Sequence, residues 1–182
     1  MLPSEEVEAL RRELAFLAGD ADGEATLDRV LGRVVEATRD ANGERTLRFE
    51  SPNEEGETLT WTLLPPSEHI DRRVPPTLRR ILERCGGSWM GEPGTADALV
   101  LHDGFSGTLD ALGRDLGLDA ERDGFEYAPE LCAPIDVGLG RVYVFHPVTG
   151  ELRHFDQDGG LEPEDVGDVG SCFLSLIEAE LG

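Results

Sequence analysis

The sequence predicts an α+β fold, a single domain in which helices and antiparallel strands are grouped rather than alternated. Three observations predict it. Apolar residues recur at helical spacing near both ends of the chain: Val7, Leu10, Leu14 and Leu17 at one, Phe173, Leu176, Ile177 and Leu181 at the other. Between them the period drops to two in paired runs, as in Leu47 and Phe49 or Leu59, Trp61 and Leu63. The resulting order is helices, hairpin, helix, strands, helix, without the β-α-β alternation of a doubly wound sheet.

The elements follow in order. Pro3-Ser4-Glu5-Glu6 opens the first helix, with Ser4 expected as its cap and the two Glu complementing the positive N-terminal end. Gly19-Asp20-Ala21-Asp22-Gly23 breaks it. A second helix is expected to carry Leu27, Val30, Leu31, Val34 and Val35 on one stripe, the segment ending at Asn42-Gly43. Leu47 and Phe49, then Leu59, Trp61 and Leu63, mark a hairpin joined by Ser51-Pro52-Asn53-Glu54-Glu55-Gly56. Its Thr58, Thr60 and Thr62 suit a face open to water, and Pro65-Pro66 stops the second strand. Residues 1–67 therefore read as a helix–helix–hairpin extension packed on the remainder.

Val74-Pro75-Pro76 starts a third helix, Pro being tolerated where the first-turn N–H has no partner. Leu78, Ile81 and Leu82 form its inner face, and Gly86-Gly87 is expected as a left-handed stop. Trp89 reads as a lid on the core. Ala98-Leu99-Val100-Leu101 reads as a short buried strand, and Leu109, Leu112 and Leu116 as a short helix interrupted by glycines. Leu131–Asp136 is expected as a strand, edge or bulged because of Pro134. Arg141–Phe145 and Glu151–Phe155 form a second hairpin around His146-Pro147-Val148-Thr149-Gly150, and Ser171 is expected to cap the last helix.

Charge bounds the function. The 182 residues hold 16 basic and 38 acidic side chains, a formal net charge of −22, and every basic residue is Arg. Phosphate neutralisation needs a basic surface, so a general nucleic-acid binder is excluded, as is docking on an anionic membrane. No run is long and apolar enough for a transmembrane helix, and the start of the chain lacks the pattern of a signal peptide. These features predict a cytoplasmic protein, and they leave the oligomeric state open. The absence of Lys fits either Arg-biased coding or adaptation to high salt, so the charge has a solvation reading beside a recognition one.

Chemistry-bearing motifs are few. Cys85, Cys132 and Cys172 are widely spaced, without the C-x-x-C of a zinc or redox site, and are expected to be reduced and buried. The four His lie at 69, 102, 146 and 154 with no Cys–His signature around them. Asp20-Ala21-Asp22-Gly23 and Asp156-Gln157-Asp158-Gly159 imitate calcium loops. Their first positions would be Ala18 and His154 and their twelfth Arg29 and Asp165, where a carboxylate and a bidentate Glu are needed, so turn formation is the better reading. Gly104-Phe105-Ser106-Gly107 lacks the spacing of a nucleophile elbow, and no glycine loop precedes a helix with a Lys. No catalytic residue, metal site or cofactor site is assigned. The densest acids near a readable element are Asp156, Asp158, Glu162, Glu164, Asp165 and Asp168. They read either as a solvated connector or as an acidic lip that attracts a basic partner.

Pro75-Pro76-Thr77-Leu78-Arg79-Arg80-Ile81-Leu82 followed by Cys85-Gly86-Gly87 resembles the helix-then-Asn-Gly-Gly signature of the SUKH superfamily. That group holds bacterial immunity proteins and fungal cell-wall assembly regulators. Gly140–Leu152 is similar to its central hairpin and Ser171–Ile177 to its Ser-Phe terminal helix, so the resemblance covers residues 68–182. Leu78 and Cys85 depart from the family's usual aromatic residue and Asn. The resemblance implies a central antiparallel sheet flanked by helices. It also implies a non-enzymatic protein that binds and neutralises a toxin, commonly a basic nuclease, or a regulatory module of the same fold with a cellular partner.

Overall fold

The computed structural model describes residues 2–51, 57–91, 98–105, 132–138, 141–146, 149–156, 160–161 and 166–182. Helix α1 (Ser4–Leu14) runs into a 3-10 turn (Ala15–Leu17), and α2 spans Ala21–Leu31. Strands β1 (Val34–Arg39), β2 (Arg45–Glu50) and β3 (Thr58–Leu63) follow, then α3 (Pro76–Leu82). Strands β4 (Ser88–Met90), β5 (Leu99–Leu101), β6 (Ile135–Gly138), β7 (Arg141–Phe145), β8 (Leu152–Asp156) and β9 (Gly160–Leu161) complete the sheet, and α4 (Val169–Leu181) ends the fold. The class is α+β, as expected. The expected helix over Leu109–Leu116 lies outside the described residues.

The nine described strands form one antiparallel sheet in the order of the chain, β1 to β9, each paired with its sequence neighbours. The hairpin of the N-terminal segment is not a separate layer: β3 continues into β4 through Trp61↔Met90 and Leu63↔Ser88. One apolar cluster joins the sheet's Leu47, Phe49, Trp61 and Ile135 to Leu14, Val30 and Leu78 of the helices and to Phe173 and Ile177 of α4. Apolar surface of this kind is worth about 25 cal/mol per Å² removed from water, which makes the shared cluster the main stabilising term. On the last strands the residues of the opposite face, Val142, Val144 and Phe155, are buried as well.

Several local expectations are corrected. The second helix stops at Leu31, and Val34 and Val35 open β1 instead of continuing the stripe, as suits β-branched residues after Gly32. Pro3, not Ser4, occupies the first cap position, and Asp168, not Ser171, caps α4. The break after the first helix is narrower than Gly19–Gly23, because Asp20 already caps α2 by accepting from the Gly23 N–H at 2.7 Å. Thr58 is exposed but Thr62 is buried, since β4 adds on that side and sets Trp89 opposite it. Trp89 itself is half-buried on this second face and does not close the helix-side core. Pro134 precedes β6; of the edge or bulged strand expected there the edge fails, because β6 is internal, while the irregular pairing is present as a register shift between Asp136 and Gly138.

Gly86 is needed for a different reason than expected. Neither it nor Gly87 adopts a positive φ. The Gly86 N–H donates to the Pro65 carbonyl at 2.8 Å, and a Cβ here would sit 2.7 Å from that oxygen. Glycine thus lets the segment after α3 lie directly on the Pro65 backbone.

The helix layer is locked by close approach as well as by apolar contact. A Cβ at Gly170 would meet the Leu17 carbonyl oxygen at 2.1 Å, and one at Gly23 the Ser171 hydroxyl at 2.2 Å. Gly23 brings the N-terminal turns of α2 and α4 together, and Gly170 brings α4 onto the 3-10 turn. Arg29 of α2 reaches Glu178 of α4 at 2.5 Å, and holds that carboxyl below its usual range.

Candidate functional site

The acids named from the sequence do not form one described group. Asp158, Glu162, Glu164 and Asp165 lie outside the described residues. Asp156 is placed by its backbone at the end of β8, between Arg141 of β7 and Gly160 of β9. Asp168 has a defined role inside the fold. Its Oδ1 accepts from the Gly170 and Ser171 N–H groups at 3.0 and 3.1 Å, and Arg80 donates to both its oxygens at 3.1 and 3.0 Å. Only 14% of the side chain is exposed, so its charge is spent on α4 and α3 rather than offered to a partner.

The same junction resolves the first calcium-like segment. The Asp20 Oδ1 that caps α2 also accepts the Ser171 hydroxyl at 3.0 Å, while the Ser171 oxygen accepts the Gly19 N–H at 3.0 Å. Asp20 and Asp168 are therefore capping carboxylates of two helices that meet head to head, each one favourable at a positive helix end. Among the described residues no group of three or more His, Cys, Asp or Glu side chains could hold a metal ion. The second calcium-like segment extends beyond the described residues.

The His and Cys residues are dispersed. The three thiols are free and buried, and burial pushes Cys85 up to about 11 and Cys132 and Cys172 to about 12. His102 is linked to the Cys132 segment through Gly104. Its Nδ1 accepts the Gly104 N–H at 3.0 Å, while the Gly104 carbonyl accepts from Ala133, the neighbour of Cys132. Burial lowers the His102 pKa, so the ring is held neutral and the thiol protonated. That is the opposite of the thiolate–imidazolium pair that nucleophilic cysteine chemistry uses. His146 accepts the Thr149 N–H at 3.2 Å within its turn, and His154 lies against Tyr143 with ring centroids 4.9 Å apart.

Charge is distributed unevenly along the chain. Residues 85–182 carry twenty acidic side chains against four Arg, a net −16, whereas residues 1–84 carry eighteen against twelve, a net −6. Most described arginines are consumed in ion pairs within the fold, among them Arg11–Asp28, Arg48–Glu36, Arg73–Asp71 and Arg153–Glu151. Sequence reasoning missed one arrangement of these groups. Arg39 of β1 and Arg45 of β2 are direct cross-strand partners, and both guanidinia reach Glu13 at the end of α1. The signal was present only as three isolated charges spread over 32 residues, which no periodicity connects.

No helix among the described residues is long and apolar enough to cross a membrane. No family model, curated protein or solved structure matches the chain.

Proposed function

We propose that the chain is a binding protein for a basic protein partner, and that it acts as an immunity protein by masking a toxin domain such as a nuclease. The observation that carries this reading is the net −16 over residues 85–182. Nuclease surfaces are basic because they hold phosphates, and an opposing acidic surface speeds encounter and excludes nucleic acid. The resemblance of residues 68–182 to the SUKH superfamily supports the same reading. We assign the contact to Asp156, Asp158, Glu162, Glu164 and Asp165, and assign Asp168 to the fold because its carboxylate is occupied.

Binding of this kind needs no catalytic group from this chain. Long-range attraction between the acidic segment and a basic partner raises the association rate, and the effect falls steeply with ionic strength. The partner's phosphate-binding cations, once covered, are closed to nucleic acid by both charge and volume.

The test is co-expression with the product of a neighbouring toxin-like gene, followed by stopped-flow association at several salt concentrations. Growth rescue and a complex are expected. Reversing the charge at Asp156, Asp158 and Glu162 should slow association about ten-fold or more at low salt and leave dissociation nearly unchanged. No complex with any candidate toxin at low salt overturns the function. A complex whose association rate ignores the reversal overturns the acidic contact.

A further inference from the structure

A cleft of about 310 Å³ lies where α1, the β1–β2 turn, the segment after β3 and the end of α3 meet. Its charged lining is Glu13, Arg39, Arg45, Glu83 and Arg84, and its apolar surface includes Phe16, Leu63, Pro65 and Pro66. Three guanidinia against two carboxylates leave a local excess of positive charge in a chain of net charge −22. The reason is in the register. Arg39 and Arg45 stand directly opposite each other across β1 and β2, a like-charge pairing that is unfavourable without a counter-ion.

Glu13 supplies one carboxylate to both. Arg45 donates to its two oxygens at 3.2 and 2.7 Å, and Arg39 shares one of them. One carboxylate between two guanidinia neutralises half of the pair. Arg84 lines the same cleft and, among the described residues, forms no ion pair. Arg45 is only 19% exposed, so its guanidinium is largely withdrawn from water and held in one orientation by bidentate contact.

We infer that this cleft binds an oxyanion carried on a small planar apolar group, such as an aryl phosphate or aryl carboxylate. The anion would lie between Arg84 and the Arg39–Arg45 pair, and the apolar body would rest on Phe16, Pro65 and Pro66. The volume is at the lower end of the range for small-molecule pockets, which fits one ring with its charged group. Guanidinium forks match phosphate and carboxylate oxygens in planar geometry, so Arg in all three positions favours an oxyanion over a halide. The site shares no residue with the acidic segment proposed for the protein partner and stands independently of that reading.

The experiment is a ¹H–¹⁵N NMR titration of the full chain with phenyl phosphate, read at the Gly43 and Arg45 amides and the arginine Nε–H groups. Inorganic phosphate and phenol serve as separate arms. Saturable shifts confined to the cleft are expected with phenyl phosphate, and each half-ligand should bind at least about five-fold more weakly. Arg84→Gln, at an exposed position, should weaken binding about five-fold or more. Glu13→Gln removes the internal competitor and should tighten it by about three-fold or more. Absence of saturation by about 20 mM phenyl phosphate, weaker than any meaningful affinity, overturns the site. So does a dissociation constant within two-fold of wild type in either variant, because a salt-bridge network with only a structural role predicts that result.

Discussion

Trp61 is the largest fully buried side chain, and its polar atom depends on one neighbour. The indole Nε1–H donates to the Ser88 hydroxyl at 2.6 Å, and that hydroxyl donates onward to the Thr62 carbonyl at 2.8 Å. Both Trp61 and Ser88 are 0% exposed, so water cannot replace either bond. Ser88→Ala leaves the buried N–H without an acceptor at a cost of about 1–3 kcal/mol, and the small gain from a buried methyl offsets little of it. The expected loss is about 2 kcal/mol, or about 4–8 °C in Tm for a domain of this length. Urea denaturation followed by far-ultraviolet circular dichroism reads it. The decisive arm is a double-mutant cycle with Trp61→Phe, which deletes the donor. In that background Ser88→Ala should cost less than about half as much, a coupling of about 1 kcal/mol or more. Equal costs in the two backgrounds would falsify the assignment, because the loss would then come from packing on β4 and not from the stranded N–H.

Three further outcomes follow from the same structure. Asp168→Ala removes the α4 cap and the Arg80 contact and should cost about 1–2 kcal/mol in urea denaturation, whereas Asp168→Asn keeps an acceptor at the cap and should cost clearly less; equal losses would mean the cap bonds contribute nothing. Gly86→Ala forces a methyl onto the Pro65 carbonyl oxygen and should destabilise by about 1–3 kcal/mol, and an unchanged denaturation midpoint would show that the contact relaxes freely. The half-buried His102 should titrate below its ordinary value of 6.5 when followed by NMR. Because its folded pKa is depressed, its contribution to stability is complete above the unfolded value and is lost as pH falls through the folded one; a midpoint at or above 6.5 contradicts this.

Where the sequence was legible, burial and period agreed. Leu47, Phe49, Leu59 and Trp61 alternate because one face of β2 and β3 meets the core, and the alternation is long enough to read. Val34 and Val35 misled because they extend the spacing of Val30 and Leu31, so a change of element looked like a continuation; Gly32 and the β-branched pair were the available signals. Ser88–Met90 has three residues and cannot display a period at all. Capping was ambiguous since Asp168 and Ser171 are both good cap formers, and only the packing of α4 against Gly19 and Asp20 distinguishes them. The Arg39–Glu13–Arg45 grouping was invisible for a different reason. It is created by strand register and the end of α1 together, and neither is a local property of sequence.

The chain-ordered sheet has a consequence for synthesis. Each strand can add to the one made just before it, so pairing from β1 onward requires few distant partners and can proceed as the polypeptide emerges. The helix layer has no such freedom. The start of α2 is completed by Ser171, and Gly170 lies on the 3-10 turn before it, yet α4 is translated after every strand. Until then Leu27, Val30 and Leu31 lack the helix that packs over them. The nascent protein is thus a growing ribbon whose earliest helices stay uncovered longest. Its vulnerability to misassociation lies at the beginning of the chain and ends only when the last helix closes on it.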